Sequence, residues 1–136
     1  MNHRATETQR INGVTEKIIG AAKEVHRALG PGLLESAYLA CLVFELTQSG
    51  LNCRSEISIP VRYKDVRLDC GYRADLIVED LVIVELKAVE RLLPVHDAQL
   101  ITYLKITGLP LGLLLNFNVP LLKDGIRRLV NPSVTL

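Results

Sequence analysis

Three side chains that could take part in chemistry, Asp75, Glu85 and Lys87, lie in a largely apolar stretch, residues 71–88 (GYRADLIVEDLVIVELKA). Asp75 precedes Glu85 by ten residues, and Lys87 follows two residues later. Neighbouring carboxylates favour a hard cation such as Mg²⁺, which takes oxygen ligands and leaves positions for water and phosphate. A lysine beside them can orient an attacking water and stabilise charge that develops on a phosphate. These residue types are therefore suited to metal-assisted hydrolysis of a phosphate ester.

The same stretch predicts a β-hairpin that brings these side chains together. Two runs rich in Val, Ile and Leu flank Glu79-Asp80, a polar break typical of a tight turn. With the turn centred on Asp80, Asp75 lies opposite Glu85, and the period of two in a strand places Lys87 on the face of Glu85. The other face is then wholly apolar and comprises Ala74, Leu76, Val78, Val82, Val84, Leu86 and Ala88. A slip of one residue would bury the charges, so the pattern predicts a fixed register.

A surface salt bridge is the alternative explanation of these charges. Lys87 could pair with Glu85 or Asp75, and structural ion pairs of this kind are common. However, ionised groups are costly to bury unless they are paired or bind a metal. Two carboxylates on neighbouring strands also repel each other, so at least one is expected to have a raised pKa without metal. The hairpin by itself leaves both explanations open.

The spacing of Asp75, Glu85 and Lys87 resembles the D…E-x-K core of the PD-(D/E)XK nuclease superfamily, with Ala74 in place of the proline. Residues 99–103 (QLITY) resemble the Q-x-x-x-Y motif of the superfamily's exonuclease-like branch. Upstream, the segment GLLESAY resembles the signature of the small GxxExxY family. The resemblance covers nearly the whole chain, with the motifs in the family's order.

The resemblance implies a set of metal ligands. Asp75 and Glu85 would hold Mg²⁺ or Mn²⁺, with the main-chain carbonyl of Leu86 as a further ligand. Glu35 would help directly or through a water, although by itself it could equally be a solvated acid in the first turn of a helix.

The resemblance also implies supporting roles for several side chains. Lys87 would position the attacking water, and Gln99 and Tyr103 would orient a substrate phosphate or Lys87. Gln99 and Tyr103 are four residues apart in a predicted helix, so they share a face. Tyr38, three residues after Glu35, is a further supporting candidate.

The predicted elements define a mixed α/β fold. Helices are predicted at residues 11–29, 33–49 and 95–107, and strands at 52–63, 66–69, in the two arms of the 71–88 hairpin, and at 111–118 and 126–130. This order predicts a mixed sheet with a central antiparallel hairpin flanked by helices. It matches the restriction-endonuclease-like αβββαβ core of the superfamily.

Composition sets further bounds. The chain has 136 residues, of which 49% are apolar, so we expect one domain over residues 11–136 after a flexible segment, 1–10. It lacks an apolar run of the roughly 20 residues that span a bilayer and a signal-peptide pattern, so a cytoplasmic location without a membrane partner is expected. The cysteines lack C-x-x-C spacing, which argues against a disulfide framework, a zinc site or an iron–sulfur cluster; they are Cys41, Cys53 and Cys70.

Charge bears on the choice between two functions. A metal-dependent nuclease acting on nucleic acid, with DNA the expected substrate, is favoured by the retained acids, lysine, glutamine and tyrosine. A non-catalytic module that binds nucleic acid or a protein is the alternative, because the net charge is only +1. A homodimer or a helicase-type partner is left open. Basic residues before and within the hairpin could line a groove for phosphates or be ordinary solvated charges; they are Arg54, Arg62, Lys64, Arg67 and Arg73.

Overall fold

The structure, a computed structural model, describes residues 3–134, without the side chains of residues 3–5. Within these residues lie three α-helices, seven strands and a short 3₁₀ helix. They are α1 (His3–Leu29), α2 (Glu35–Gln48), β1 (Cys53–Ser58), β2 (Val61–Tyr63), β3 (Val66–Leu68), β4 (Arg73–Val78), β5 (Val82–Lys87), α3 (Pro94–Thr107), β6 (Leu111–Asn116), the 3₁₀ helix (Leu122–Gly125) and β7 (Ile126–Val130).

Five strands form one mixed sheet in the order β1-β4-β5-β6-β7. The β4–β5 hairpin is antiparallel, β5 and β6 are parallel, and the outer pairs are antiparallel. Helix α3 provides the crossover that a parallel β5–β6 pair requires. Strands β2 and β3 form a separate two-stranded hairpin. The predicted mixed sheet with a central antiparallel hairpin is confirmed.

Apolar clusters cover both faces of this sheet. On one face, Leu76, Val84 and Leu86 pack with Ile18 of α1 and Leu42 of α2. On the other face, α3 packs on the sheet through Leu100, Tyr103 and Leu104, which contact Ile77, Ile83 and Leu114. All six residues of β6 are buried, as expected for a strand covered on both faces.

The largest difference from the predicted elements is at the N-terminus. Helix α1 begins at His3 instead of residue 11, so residues 3–10, predicted to be flexible, continue the helix. This segment contains no Gly or Pro, and helix formers such as Glu7 and Arg10 let the helix extend beyond Ile11, where its buried face begins. The first two residues of the predicted flexible segment lie outside the described residues.

A second difference divides the strand predicted at residues 52–63. It ends at Ser58, and Pro60 separates β1 from the β2–β3 hairpin, because proline cannot donate a strand hydrogen bond. Strand β1 lies at one edge of the sheet. No helix between residues 3 and 134 has the length and apolar character needed to cross a membrane.

Candidate active site

The turn between β4 and β5 fixes the hairpin's register. The Leu81 N–H donates to the Val78 carbonyl over 3.0 Å, and Glu79 and Asp80 both have positive φ, 55° and 50°. Two consecutive positive φ values suit the right-handed twist of the flanking strands. The Glu79 carboxylate also accepts a 2.7 Å hydrogen bond from the Asn52 N–H, which ties the turn to the start of β1.

In this hairpin two side-chain carboxylates, rather than main-chain carbonyls, accept hydrogen bonds from main-chain amides. The paired residues end at Leu76 and Val84, so Asp75 is next to Glu85, as the sequence predicted. The Asp75 N–H donates to Glu85 Oε2 over 2.8 Å, and the Leu86 N–H donates to Asp75 Oδ2 over 2.9 Å. Each acid therefore satisfies a main-chain amide of the opposite strand. We call Asp75 and Glu85 the carboxylate pair.

The regular alternation of β4 is interrupted at this point. Ala74 was predicted to share a face with Leu76, but it packs in the cluster under α3, as Ile77 does. Glu56 of the neighbouring strand, beside Asp75 in the register, has a φ of 52°. A positive φ is costly for a residue with a side chain and is often found near functional sites. The prediction for Ala74 was wrong because strict alternation assumes a regular strand.

The carboxylate pair holds a proton at neutral pH. Glu85 is 4% exposed, and its pKa is raised to about 9, first by burial and then by the charge of Asp75 and a hydrogen bond with its side chain. The positive charge of Lys87, which is half-buried, lowers the pKa of Glu85 but does not offset the other causes. The raised pKa that repulsion between the acids predicted is therefore present at Glu85.

A cleft of about 220 Å³ opens beside the pair. Glu35, exposed in the first turn of α2, and Asp75 both face it, so the structure brings these two predicted residues together. Glu56 also lines the cleft and makes a 3.8 Å ion pair with Arg73. The sequence carries no local signal for Glu56, because its position depends on the pairing of β1 with β4. The lining residues are Glu35, Ser36, Leu39, Glu56, Asp75 and Leu86.

The donor set suits a hard divalent cation with few protein ligands. Asp75 and Glu85 offer carboxylate oxygens, and a cation between them would replace the proton that Glu85 holds. Within the described part of the chain, no three His, Cys, Asp or Glu side chains come together as a metal-binding group. Glu35 is thus not gathered with the pair into one ligand set. Mg²⁺ is commonly held by one or two carboxylates with water and phosphate completing its shell, so the residues fit.

Gln99 and Tyr103 lie together on the α3 side of the sheet. Tyr103 is 4% exposed, and its pKa is raised to about 12 by burial and then by the charges of Glu85, Tyr72 and Asp75. Its ring meets the Tyr72 ring edge-on, with the centroids 6.4 Å apart. Gln99 is half-buried and lines a second cleft, of about 290 Å³, with both tyrosines. Tyr103 is thus close enough to respond to the carboxylate pair.

The structure does not bring Tyr38 to this site. Its hydroxyl donates to the Gly30 carbonyl over 2.6 Å and accepts from the Leu33 N–H over 3.1 Å. Its ring is fully buried and stacks on Phe117, with the centroids 4.4 Å apart. Tyr38 therefore closes the loop between α1 and α2, and so fixes where α2 and its first residue, Glu35, begin.

Asn116 is a positioning residue that the sequence analysis missed. It ends β6, lies opposite Lys87 in the register and is 2% exposed. Its Oδ1 accepts from the N–H of Val89 over 3.1 Å, and its Nδ2 donates to the Val89 carbonyl over 2.9 Å. These bonds hold the chain that leaves β5 just after Lys87. The only sequence signal is a single polar residue at the end of an apolar run.

Comparison with known proteins agrees with this arrangement. A sequence model of the PD-(D/E)XK nuclease superfamily matches residues 12–129, which is most of the chain. The chain therefore belongs to the PD-(D/E)XK nuclease superfamily. Its five-stranded mixed sheet flanked by helices is consistent with the restriction-endonuclease-like fold. No curated protein and no solved structure matched the chain.

Proposed function

We propose that this protein is a nuclease that uses a divalent metal to hydrolyse phosphodiester bonds in nucleic acid. The observation that carries the proposal is the carboxylate pair, in which Glu85 is almost fully buried against Asp75 with a pKa of about 9. Carboxyl groups with strongly shifted pKa values that adjoin a cleft are typical of functional sites. Membership of a nuclease superfamily supports the same conclusion.

Each site residue has a proposed role. Asp75, Glu85 and the Leu86 carbonyl would hold the metal, Mg²⁺ or Mn²⁺, with Glu35 acting through a water. A bound cation of this kind supplies Lewis-acid stabilisation of a phosphoryl oxygen and favours deprotonation of a water. Lys87 orients the attacking water and stabilises negative charge on the phosphate.

Residues of α3 complete the proposed site. Gln99 and Tyr103 orient the substrate phosphate or Lys87 from the second cleft. Several finer points stay predictions: membership of the GxxExxY family and of the Q-x-x-x-Y branch, DNA as the substrate, and a cytoplasmic location. A homodimer or a helicase-type partner is also a prediction.

A cleavage assay tests this function. Labelled single- and double-stranded DNA and RNA are incubated with the protein and Mn²⁺ or Mg²⁺, beside Asp75→Asn, Lys87→Ala and a matched control, Lys17→Ala. We expect metal-dependent cleavage that both site variants lose and the control, altered at an exposed position of α1, retains. Cleavage that persists in both site variants, or that does not need metal, would contradict the proposal.

A non-catalytic module remains a second candidate because the net charge is only +1 and two acids alone form the core of the donor set. Calorimetry separates the two candidates. A nuclease should bind Mn²⁺ at millimolar concentration or below, and Asp75→Asn should bind it more weakly. The absence of binding to the wild-type protein, together with the absence of cleavage, would favour the module.

A further inference from the structure

The β2–β3 hairpin, here called the arm, is a projection that does not join the main sheet. It consists of Val61–Tyr63 and Val66–Leu68, which pair only with each other. Residue 62 lies directly opposite residue 67, and both are exposed arginines. Like charges directly opposite each other destabilise a strand pair, and a bound anion would relieve this repulsion.

Neither arginine is neutralised by a carboxylate within residues 3–134. Two other basic residues near the hairpin pair with acids, since Arg54 contacts Asp80 at 2.7 Å and Arg73 contacts Glu56 at 3.8 Å. Lys64, in the turn of the arm, lies over the Tyr63 ring, 5.5 Å from its centroid. Asp65 lies in the turn of the arm and Asp69 directly follows it, but among the described residues neither forms an ion pair with Arg62 or Arg67. The Asp69 side chain instead accepts from the Gly71 N–H over 3.2 Å.

The two arginines line a groove that leads towards the candidate active site. Together with Arg54 they border a volume of about 340 Å³ beside the end of α3. Ile59 and Ile106 line both this groove and the cleft that contains Gln99 and Tyr103, so the two spaces adjoin. A chain of phosphates bound at the arm would therefore extend towards Gln99 and Tyr103.

An exposed aromatic ring lines that cleft next to the arm. Tyr72 is 46% exposed, and it is held by the edge-on contact with Tyr103 and by a 2.8 Å hydrogen bond from the Ile59 N–H to its carbonyl. Aromatic rings beside a basic groove provide stacking surfaces for unpaired bases. In a duplex the base faces are covered by their neighbours, so this ring favours a single strand.

We propose that the arm and the adjoining groove bind single-stranded nucleic acid, with Arg62 and Arg67 each on a backbone phosphate and Tyr72 against a base. This inference rests on the proposed nuclease function for the direction of the strand towards Asp75 and Glu85. It adds a substrate class, an unpaired strand, and a binding surface separate from the metal ligands. The low net charge agrees with binding through a few local contacts rather than a broad basic face.

Fluorescence anisotropy in EDTA measures this binding without cleavage. The probes are a labelled single-stranded oligothymidylate and a duplex of equal length. The arm variant carries both Arg62→Gln and Arg67→Gln. Its control carries both Arg10→Gln and Lys17→Gln, which remove the same amount of charge from exposed positions of α1. We expect the arm variant to raise Kd for the single strand about tenfold. The slope of log K against log salt should fall by about 1.4, because each phosphate contact on a single strand contributes about 0.7.

Tyr72→Leu tests the stacking contact, with Tyr72→Phe as its conservative control. We expect the leucine variant to weaken single-strand binding about tenfold, since stacking on one aromatic ring has an effect of this order, and to leave duplex binding unchanged. The phenylalanine variant should bind as the wild type does. A thermal melt of each variant shows whether it is folded. Each single arginine variant should raise Kd for the single strand about threefold, which a misfolded protein would not reproduce.

The results separate this inference from the nuclease proposal. Unchanged single-strand affinity in the arm variant, or equal losses in the arm variant and the α1 control, would overturn the inference even if the protein cleaves nucleic acid. A selective loss in the arm variant would support it even if no cleavage occurs. The arm also exposes Tyr63 and Val66. If Tyr63→Ser dissociates a dimer and the variant with Arg62→Gln and Arg67→Gln binds the single strand as the wild type does, the arm is a protein interface and the inference fails.

Discussion

Replacement of Glu85 by glutamine should remove most of the pH dependence of stability in the metal-free protein. The folded protein holds a proton on Glu85 with a pKa of about 9, compared with an ordinary value of 4.5. Between these two values the folded state binds more protons than the unfolded chain. The free energy of unfolding therefore falls as pH rises through this range, and below about 4.5 the stabilisation is fully present. Glutamine mimics the protonated carboxyl and cannot titrate.

The magnitude follows from the same two pKa values. One pKa unit corresponds to about 1.4 kcal/mol, so the wild-type protein would lose up to about 4 kcal/mol between pH 5 and pH 8. The proton is shared with Asp75, so the loss belongs to the pair rather than to Glu85 alone. For a domain of this size the loss corresponds to a fall in Tm of roughly 10 °C.

Thermal melts in EDTA at several pH values between 5 and 8 measure the effect. Glu16→Gln, an exposed acid of α1, serves as the control and should follow the wild-type curve. At pH 8, Glu85→Gln should be at least as stable as the wild-type protein. A wild-type Tm that stays constant or rises relative to Glu85→Gln over this range would refute the protonated, buried state of the carboxylate pair.

Three further substitutions have defined outcomes. Asp75→Asn should leave the metal-free Tm unchanged or higher, because the amide oxygen can still accept from the Leu86 N–H while the charge that disfavours ionisation of Glu85 is removed. The stabilisation of the wild type by Mg²⁺, about 1.4 kcal/mol at ten times Kd, should be lost in melts with metal because a ligand is missing. Tyr38→Phe should keep the stacking on Phe117 but leave the Gly30 carbonyl without its 2.6 Å hydrogen bond. The free energy of unfolding, measured in urea, should fall by about 1–3 kcal/mol. An unchanged urea midpoint would contradict the role of that bond. Gly112→Ala would place a Cβ 2.8 Å from the Leu100 side chain of α3. The free energy of unfolding should fall by about 1–3 kcal/mol in the same assay. An unchanged free energy of unfolding would mean that α3 shifts to accommodate the methyl group.

Local signals made the hairpin and α3 predictable. Alternating apolar residues and a polar turn are sufficient to set the register of Asp75 and Glu85. In α3, Pro94 occupies the first turn, and Gly108, with a φ of 75°, ends the helix in a conformation that glycine adopts easily. Such features depend on neighbours within a few residues, so the sequence reveals them directly.

Contacts between distant segments were not predictable in the same way. Tyr38 follows Glu35 by three residues, but Glu35 faces the cleft while Tyr38 stacks on Phe117, which lies in the chain after β6. Spacing along a helix indicates adjoining faces but not which element covers each face. The same limit applies to Glu56, whose place beside Asp75 depends on the pairing of β1 with β4.

The carboxylate pair also constrains how this chain can change during evolution. Because Asp75 and Glu85 accept hydrogen bonds from amides of the opposite strand, their side-chain oxygens have a structural role in addition to the one proposed in catalysis. If selection for activity were lost, replacement by the corresponding amides would preserve those acceptors, whereas alanine would leave two amides without partners. A descendant that had lost activity should therefore first acquire asparagine or glutamine at these positions.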